Sequence, residues 1–96
     1  MTEAVKEDQL GDLVDFYGTE CHFCKKIEPF LQRLEQEENV KVTRVEVWHN
    51  AENAQLWQKL DAGKCGGVPF LINRKTGKFI CGYADYEKLK EWALGK

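Results

Sequence analysis

Cys21 and Cys24, with two residues between them, are the part of this chain whose types and spacing could do chemistry. They lie in the stretch Leu-Val-Asp-Phe-Tyr-Gly-Thr-Glu-Cys-His-Phe-Cys-Lys-Lys-Ile, which runs from Leu13 to Ile27. The spacing puts both sulfurs on the first turn of a helix, close enough to close a small disulfide ring. Unpaired N–H groups and the positive dipole end of a helix start stabilise a thiolate, so Cys21 should ionise more readily than a free thiol. Half of a metal site, or two inert thiols, are the bland alternatives. A structural zinc site usually takes four ligands, and the chain offers neither a second Cys-x-x-Cys nor a His pair. The pair is therefore read as redox-active, with no metal expected.

Other residues join it with less force. Asp15 sits between apolar neighbours on the strand that leads into the motif. It is either a surface carboxylate at a strand edge or, as its neighbours favour, a buried one with a raised pKa that can act as a general base. Glycines precede Val68-Pro69, which suits a cis peptide or a tight strand entry, although composition alone makes trans the default. Near Cys21, His22 as an imidazolium favours the thiolate while Glu20 opposes it. Cys65 and Cys81 stand singly, and most such cysteines are small buried apolar residues. His49 reads as a loop residue, and Trp48, Trp57 and Trp92 most simply as core.

These residues need elements to hold them. Residues 1–11 form a lead-in segment, weakly ordered or a short helix ending at Gly11, and residues 12–96 form the domain. Residues 12–17 read as a buried strand. The helix opened by the cysteines runs to about Glu38, with Asn39 as its stop and a kink expected at Pro29. Its inner face carries Phe23, Ile27, Phe30, Leu31 and Leu34 at spacings of three and four. Val40 to Trp48 is a β-branched run, which pairs in parallel with the first strand through a right-handed crossover. Asn50 caps a second helix to about Ala62, with Leu56, Trp57 and Leu60 inside and Gly63 ending it. Residues 70–74 and 78–82 form a hairpin, and Asp85 caps a last helix with Tyr86, Leu89, Trp92 and Ala93 towards the sheet. The order βαβαββα implies an α/β sandwich around a mixed four-stranded sheet.

At 96 residues the chain makes one domain with a real core. A net charge of −2 offers no basic footprint for nucleic acid. No apolar run reaches the roughly 20 residues of a membrane helix. The polar, acidic start is unlike a signal or transit peptide, so a cytoplasmic, reducing compartment is expected, although a mature organellar or exported form would look the same.

Leu13-Val14-Asp15-Phe16, Cys21-His22-Phe23-Cys24-Lys25, Pro29, Gly67-Val68-Pro69 and Gly82, in this order and spacing, resemble the thioredoxin family from about residue 12 to residue 94. The resemblance implies a thioredoxin-like fold and a thiol–disulfide oxidoreductase. Within it, Cys21 would be the nucleophile, Cys24 the resolving thiol, and Asp15 the carboxylate that handles the proton of Cys24. Pro69 would be the cis-proline beside the disulfide, with His22, Phe23, Val68 and Gly82 on the substrate-binding face. Cys65 and Cys81 border that face and could form a secondary or regulatory disulfide. No cofactor is implied beyond the Cys21–Cys24 disulfide itself. The implied partners are a disulfide-containing protein substrate and a recycling reductase or glutathione, with the domain as a monomer. His22-Phe23, Glu20 and Tyr17 depart from the family pattern, which bears on substrate and redox poise. The alternatives are a redox-inactive binding module of the same fold, or a glutaredoxin-like, glutathione-dependent enzyme.

Overall fold

The computed structural model describes residues 5–96 of the chain. Its central sheet has the order β2-β1-β3-β4, built from β1 (Leu13–Tyr17), β2 (Val42–Glu46), β3 (Phe70–Asn73) and β4 (Phe79–Cys81). β1 and β2 are parallel, whereas β3 is antiparallel to β1 and to β4, so the sheet is mixed as expected. The helices are α1 (His22–Glu38), α2 (Ala51–Asp61) and α3 (Tyr86–Leu94).

The helix ends follow from their sequences. Cys21, Asn50 and Asp85 are the N-caps, and each side chain accepts the backbone N–H three residues on, which satisfies one orphan donor of the first turn. Asn39 ends α1 in the left-handed conformation. α2 ends one residue earlier than expected, because Ala62 takes the left-handed position ahead of Gly63. Pro29 lies within α1 without ending it.

Alternation along the strands divides the core in two. On one face Leu13, Val42, Leu71 and Ile80 pack under α1 and α3 with Ile27, Leu31, Leu34, Leu89 and Trp92. On the other, Val14, Phe16, Val45, Phe70 and Ile72 pack with Leu56, Trp57 and Leu60 of α2. Leu10 belongs to this second cluster and is fully buried. The lead-in therefore joins the core: a 3-10 turn at Glu7–Gln9 delivers Leu10, and the Val5 N–H donates to Asn53 Oδ1 at 2.8 Å.

The directions of the strands bring four segments to one end of the sheet. β1 and β2 both finish there, β3 begins there, and β4 returns to it, with Phe16 opposite Phe70 and Phe70 opposite Cys81. That end carries the cysteine motif.

Candidate active site

Cys21 is held in extended backbone at the mouth of α1, with its N–H donating to the Gly18 carbonyl at 3.0 Å. Its sulfur accepts the Cys24 N–H at 3.1 Å. That is the capping bond of the helix, and it would favour a thiolate on the same atom by charge-assisted hydrogen bonding. Cys21 and Cys24 are joined as a disulfide, Cα atoms 5.2 Å apart, and both are largely buried. His22 and Phe23 between them point outward and are exposed, ring centroids 5.4 Å apart. The expectation that Phe23 faces the core is thus corrected. The face it shares with Ile27 and Leu31 extends past the end of the sheet at the first turn, where the exposed Tyr83 leans on it.

The loop before Cys21 is pinned by a residue that the sequence reading passed over. Glu46, the last residue of β2, is buried, and its carboxylate accepts Thr19 N–H at 2.9 Å, the Thr19 hydroxyl at 3.0 Å and His49 N–H at 2.7 Å. Burial pushes this carboxyl up, but the hydrogen bonds from His49 and Thr19 outweigh it and hold it below the usual carboxylate range. Glu20 turns towards His49, with Nε2 and Oε1 2.7 Å apart, and the hydrogen bond to Glu20 raises the pKa of His49. The charge next to Cys21 is therefore partnered by an imidazole from the β2–α2 loop. Trp48, expected in the core, is half exposed and lies over Gly18, where an added Cβ would clash with the indole ring. β2 ends two residues before Trp48, so this side chain caps the loop instead of entering the core.

Asp15 stands behind the motif on the α1 face of β1, 2% exposed, and its Oδ1 has no hydrogen-bond partner. Burial raises its pKa to about 7, with Arg44 acting against the shift and Glu28 with it. Arg44 lies opposite Asp15 on β2, but its guanidinium is taken by Glu28 at 2.9 Å and Glu35 at 2.8 Å. A cavity of about 360 Å³ is lined by both Asp15 and Cys24, together with Thr19, Lys25, Glu28 and Arg44. It is roomy and polar enough for water to connect the carboxyl with the sulfur side of α1.

The strand-entry residues arrive at the same end. The Val68–Pro69 peptide is cis, Pro69 is buried and Val68 half-buried. Gly82 donates its N–H to the Pro69 carbonyl at 2.8 Å from a φ of +90°, a conformation that suits glycine. Tyr83, the next residue, is exposed and leans on Phe23 and Phe30, centroids 6.3 and 6.4 Å apart. Cys65 and Cys81 are not separate buried residues, the default expectation for them, but are joined to each other, with Cα atoms 5.5 Å apart.

The fold thus brings Cys21, Cys24, Asp15, His22, Phe23, Val68, Pro69 and Gly82 to one end of the sheet. Glu46, Arg44, Glu28 and Tyr83 complete the setting. Arg44 was detectable only through the β1–β2 register, which sets it opposite Asp15. Among the described residues no group of three or more His, Cys, Asp or Glu could hold a metal ion, and no helix is long and apolar enough to cross a membrane.

Comparison with known proteins points the same way. The family model described as Thioredoxin matches residues 2–92. The thioredoxin of Bacillus subtilis is 33% identical over 86 residues, covering 82% of this chain and 75% of the relative. Among solved structures, a point-mutant thioredoxin from Halobacterium salinarum superposes with a TM-score of 0.67 at 24% identity, covering 96% of this chain and 86% of that one. A glutaredoxin from Archaeoglobus fulgidus is similar in fold, with a TM-score of 0.66 at 23% identity and 88% of each chain covered.

Proposed function

The chain belongs to the thioredoxin family, and from that premise we propose that its Cys21–Cys24 couple reduces disulfides in protein substrates. Thiol–disulfide oxidoreduction is its chemistry. The observation that carries the reading further is the placement of Cys21 as N-cap of α1, bonded to Cys24, with the uncompensated carboxyl of Asp15 sharing a cavity with Cys24.

In the reduced domain the Cys21 thiolate attacks one sulfur of the substrate disulfide. That S–S bond breaks, a Cys21–substrate mixed disulfide forms, and the other substrate sulfur leaves as a thiolate and takes up a proton. Cys24 then gives its proton through the cavity to ionised Asp15 and attacks the Cys21 sulfur. The second substrate sulfur leaves as a thiolate and takes up the proton held by Asp15, and the domain is left with the Cys21–Cys24 disulfide. The two electrons travel on the cysteines themselves, so no further cofactor enters the steps. A carboxyl that titrates near neutrality is suited to this task, since it can both take and return a proton. Substrate would lie along Val68 and Pro69, flanked by His22, Phe23 and Gly82. A dithiol reductase or glutathione would restore the reduced form, which fits a monomer in a reducing, cytoplasmic compartment.

The test uses protein disulfide turnover with a regenerating reductant. Cys21→Ser should abolish it, and Cys24→Ser should accumulate a covalent mixed disulfide on Cys21, visible by mass spectrometry. A Cys24→Ser protein that turns over at the full rate would overturn the division of roles.

A further inference from the structure

A second pair of sulfurs closes a ring around the residues that face substrate. The Cys65–Cys81 disulfide joins the approach to Val68–Pro69 to the last residue of β4, and the ring between them encloses Gly66, Gly67, Val68 and Pro69. Each of its ends also has anchors besides the bridge. The loop is held by the buried carboxylate of Asp61, whose Oδ1 accepts Cys65 N–H at 2.8 Å and whose Oδ2 accepts Gly66 N–H at 2.9 Å. β4 is held by its ladder with β3 and by the bond from Gly82 N–H to the Pro69 carbonyl. Cys81 is exposed and Cys65 only half-buried, so a reductant can reach the bond. The Cys65 sulfur already stands 3.4 Å from the Gly67 carbonyl oxygen, an acceptor in place for a thiol proton.

We propose that Cys65–Cys81 is a second redox-active disulfide, reduced by a dithiol, and that its state regulates substrate docking at Pro69. A thiolate of the dithiol attacks the sulfur of Cys81, the more exposed residue of the pair. The S–S bond breaks, Cys65 leaves as a thiolate and is protonated, and a mixed disulfide remains on Cys81. The second thiol of the reductant displaces Cys81, which is protonated in turn, and the reductant departs as its own disulfide. Two electrons and two protons have entered the pair. Bridged, the docking backbone is closed at both ends. Reduced, it keeps the Asp61 bonds but loses the covalent closure, and Gly66 and Gly67, where even an added Cβ would meet open space, gain conformational latitude. A protein substrate must then order that backbone as it docks. Ordering about one residue weakens docking roughly tenfold.

The redox half of this proposal is independent of the function proposed above; the regulatory half rests on the docking role of Pro69. The test is a titration in dithiol/disulfide buffers, quenched by alkylation and mapped to individual cysteines by mass spectrometry. Two reversible two-electron transitions are expected, one at Cys21/Cys24 and one, with its own midpoint, at Cys65/Cys81. A Cys65–Cys81 bond that survives until the protein unfolds is a structural staple, and it overturns the proposal whatever Cys21 and Cys24 do. Loss of the Cys21/Cys24 transition alone strikes the catalytic reading instead. The Cys65→Ser/Cys81→Ser protein should then show a KM for a protein disulfide raised about tenfold, with its rate on a small aromatic disulfide retained. An unchanged KM, or an equal loss on both substrates, overturns the regulatory role. Should that variant fail to fold, the Cys65→Ala/Cys81→Thr protein, with small side chains suited to a loop and an edge strand, takes its place in the same comparison.

Discussion

Folding strips the Asp15 carboxyl of water and gives its Oδ1 no partner in return, so its ionised form is the costly one. Its pKa rises from 3.8 to about 7. Below pH 3.8 both folded and unfolded chains hold this proton and stability is unaffected. Between there and about pH 7 the folded chain binds more proton than the unfolded one, so stability falls as pH rises, and it levels off above. Asp15→Asn removes the burden: the oxidised protein should gain on the order of 4 kcal/mol at pH 8, shrinking to roughly 1 kcal/mol at about pH 4.5. Urea unfolding at the two pH values measures this, and equal stability of the two proteins at the higher pH would refute the buried-charge account. In the same variant, release of the mixed disulfide by Cys24 should slow and lose its inflection near pH 7. At this scale the sequence was informative. Cys21 and Cys24 announce themselves by type and spacing and Asp15 by a charge among apolar neighbours, whereas Pro69 stood out only through the resemblance to the family. Phe23 and Trp48 misled because apolar character and periodicity assign a face, whereas exposure depends on whether another element reaches that far along it.

Between elements the informative contacts are polar, and β2 supplies most of them. Arg44 ties β2 to α1 through Glu28 and Glu35. Glu46 ties it to the loop that presents Cys21. Because hydrogen bonds hold the Glu46 pKa below its unfolded value, its contribution is complete above that value and is lost as pH falls through the folded one. Glu46→Gln keeps the shape but leaves one oxygen where two accepted, and turns an NH₂ towards a backbone donor. The expected cost is about 2 kcal/mol at neutral pH, with faster amide hydrogen exchange at Thr19 and His49. If exchange at those two amides is unaltered, Glu46 does not anchor the loop. Element order and type could be read from hydrophobic pattern and caps, since α1, α2 and α3 begin where Cys21, Asn50 and Asp85 place them. The register that sets Arg44 opposite Asp15, and Glu46 opposite Tyr17, arises only once two strands are paired, and a linear pattern does not contain it.

The whole molecule joins segments that are far apart in sequence, and the pattern was least legible there. Cys65 and Cys81 are separated by 16 positions and carry no motif; only the return of β4 beside Phe70 brings their sulfurs together. Leu10 was hidden for a similar reason. It stands alone among polar residues, and one apolar side chain has no periodicity to show where it goes. In the fold it is fully buried on the α2 face with Val14, Val45 and Phe70. Around it Glu7 pairs with Lys59 at 2.7 Å and the Arg74 guanidinium donates to the Gly11 carbonyl at 2.9 Å. The exposed ion pair adds little, and the buried leucine carries the attachment. Leu10→Ala should therefore cost about 3 kcal/mol, a large share of the roughly 5–15 kcal/mol that a domain of this size has in hand. Equilibrium urea unfolding reads it as a lower midpoint at unchanged slope. A loss below about 0.5 kcal/mol, the level of an ordinary surface substitution, would mean that residues before β1 are an appendage. A loss of the expected size makes them part of the layer under Phe16 and Phe70, the β1 and β3 residues next to the cysteine motif and Pro69. The lead-in then stabilises the end of the sheet on which the chemistry takes place.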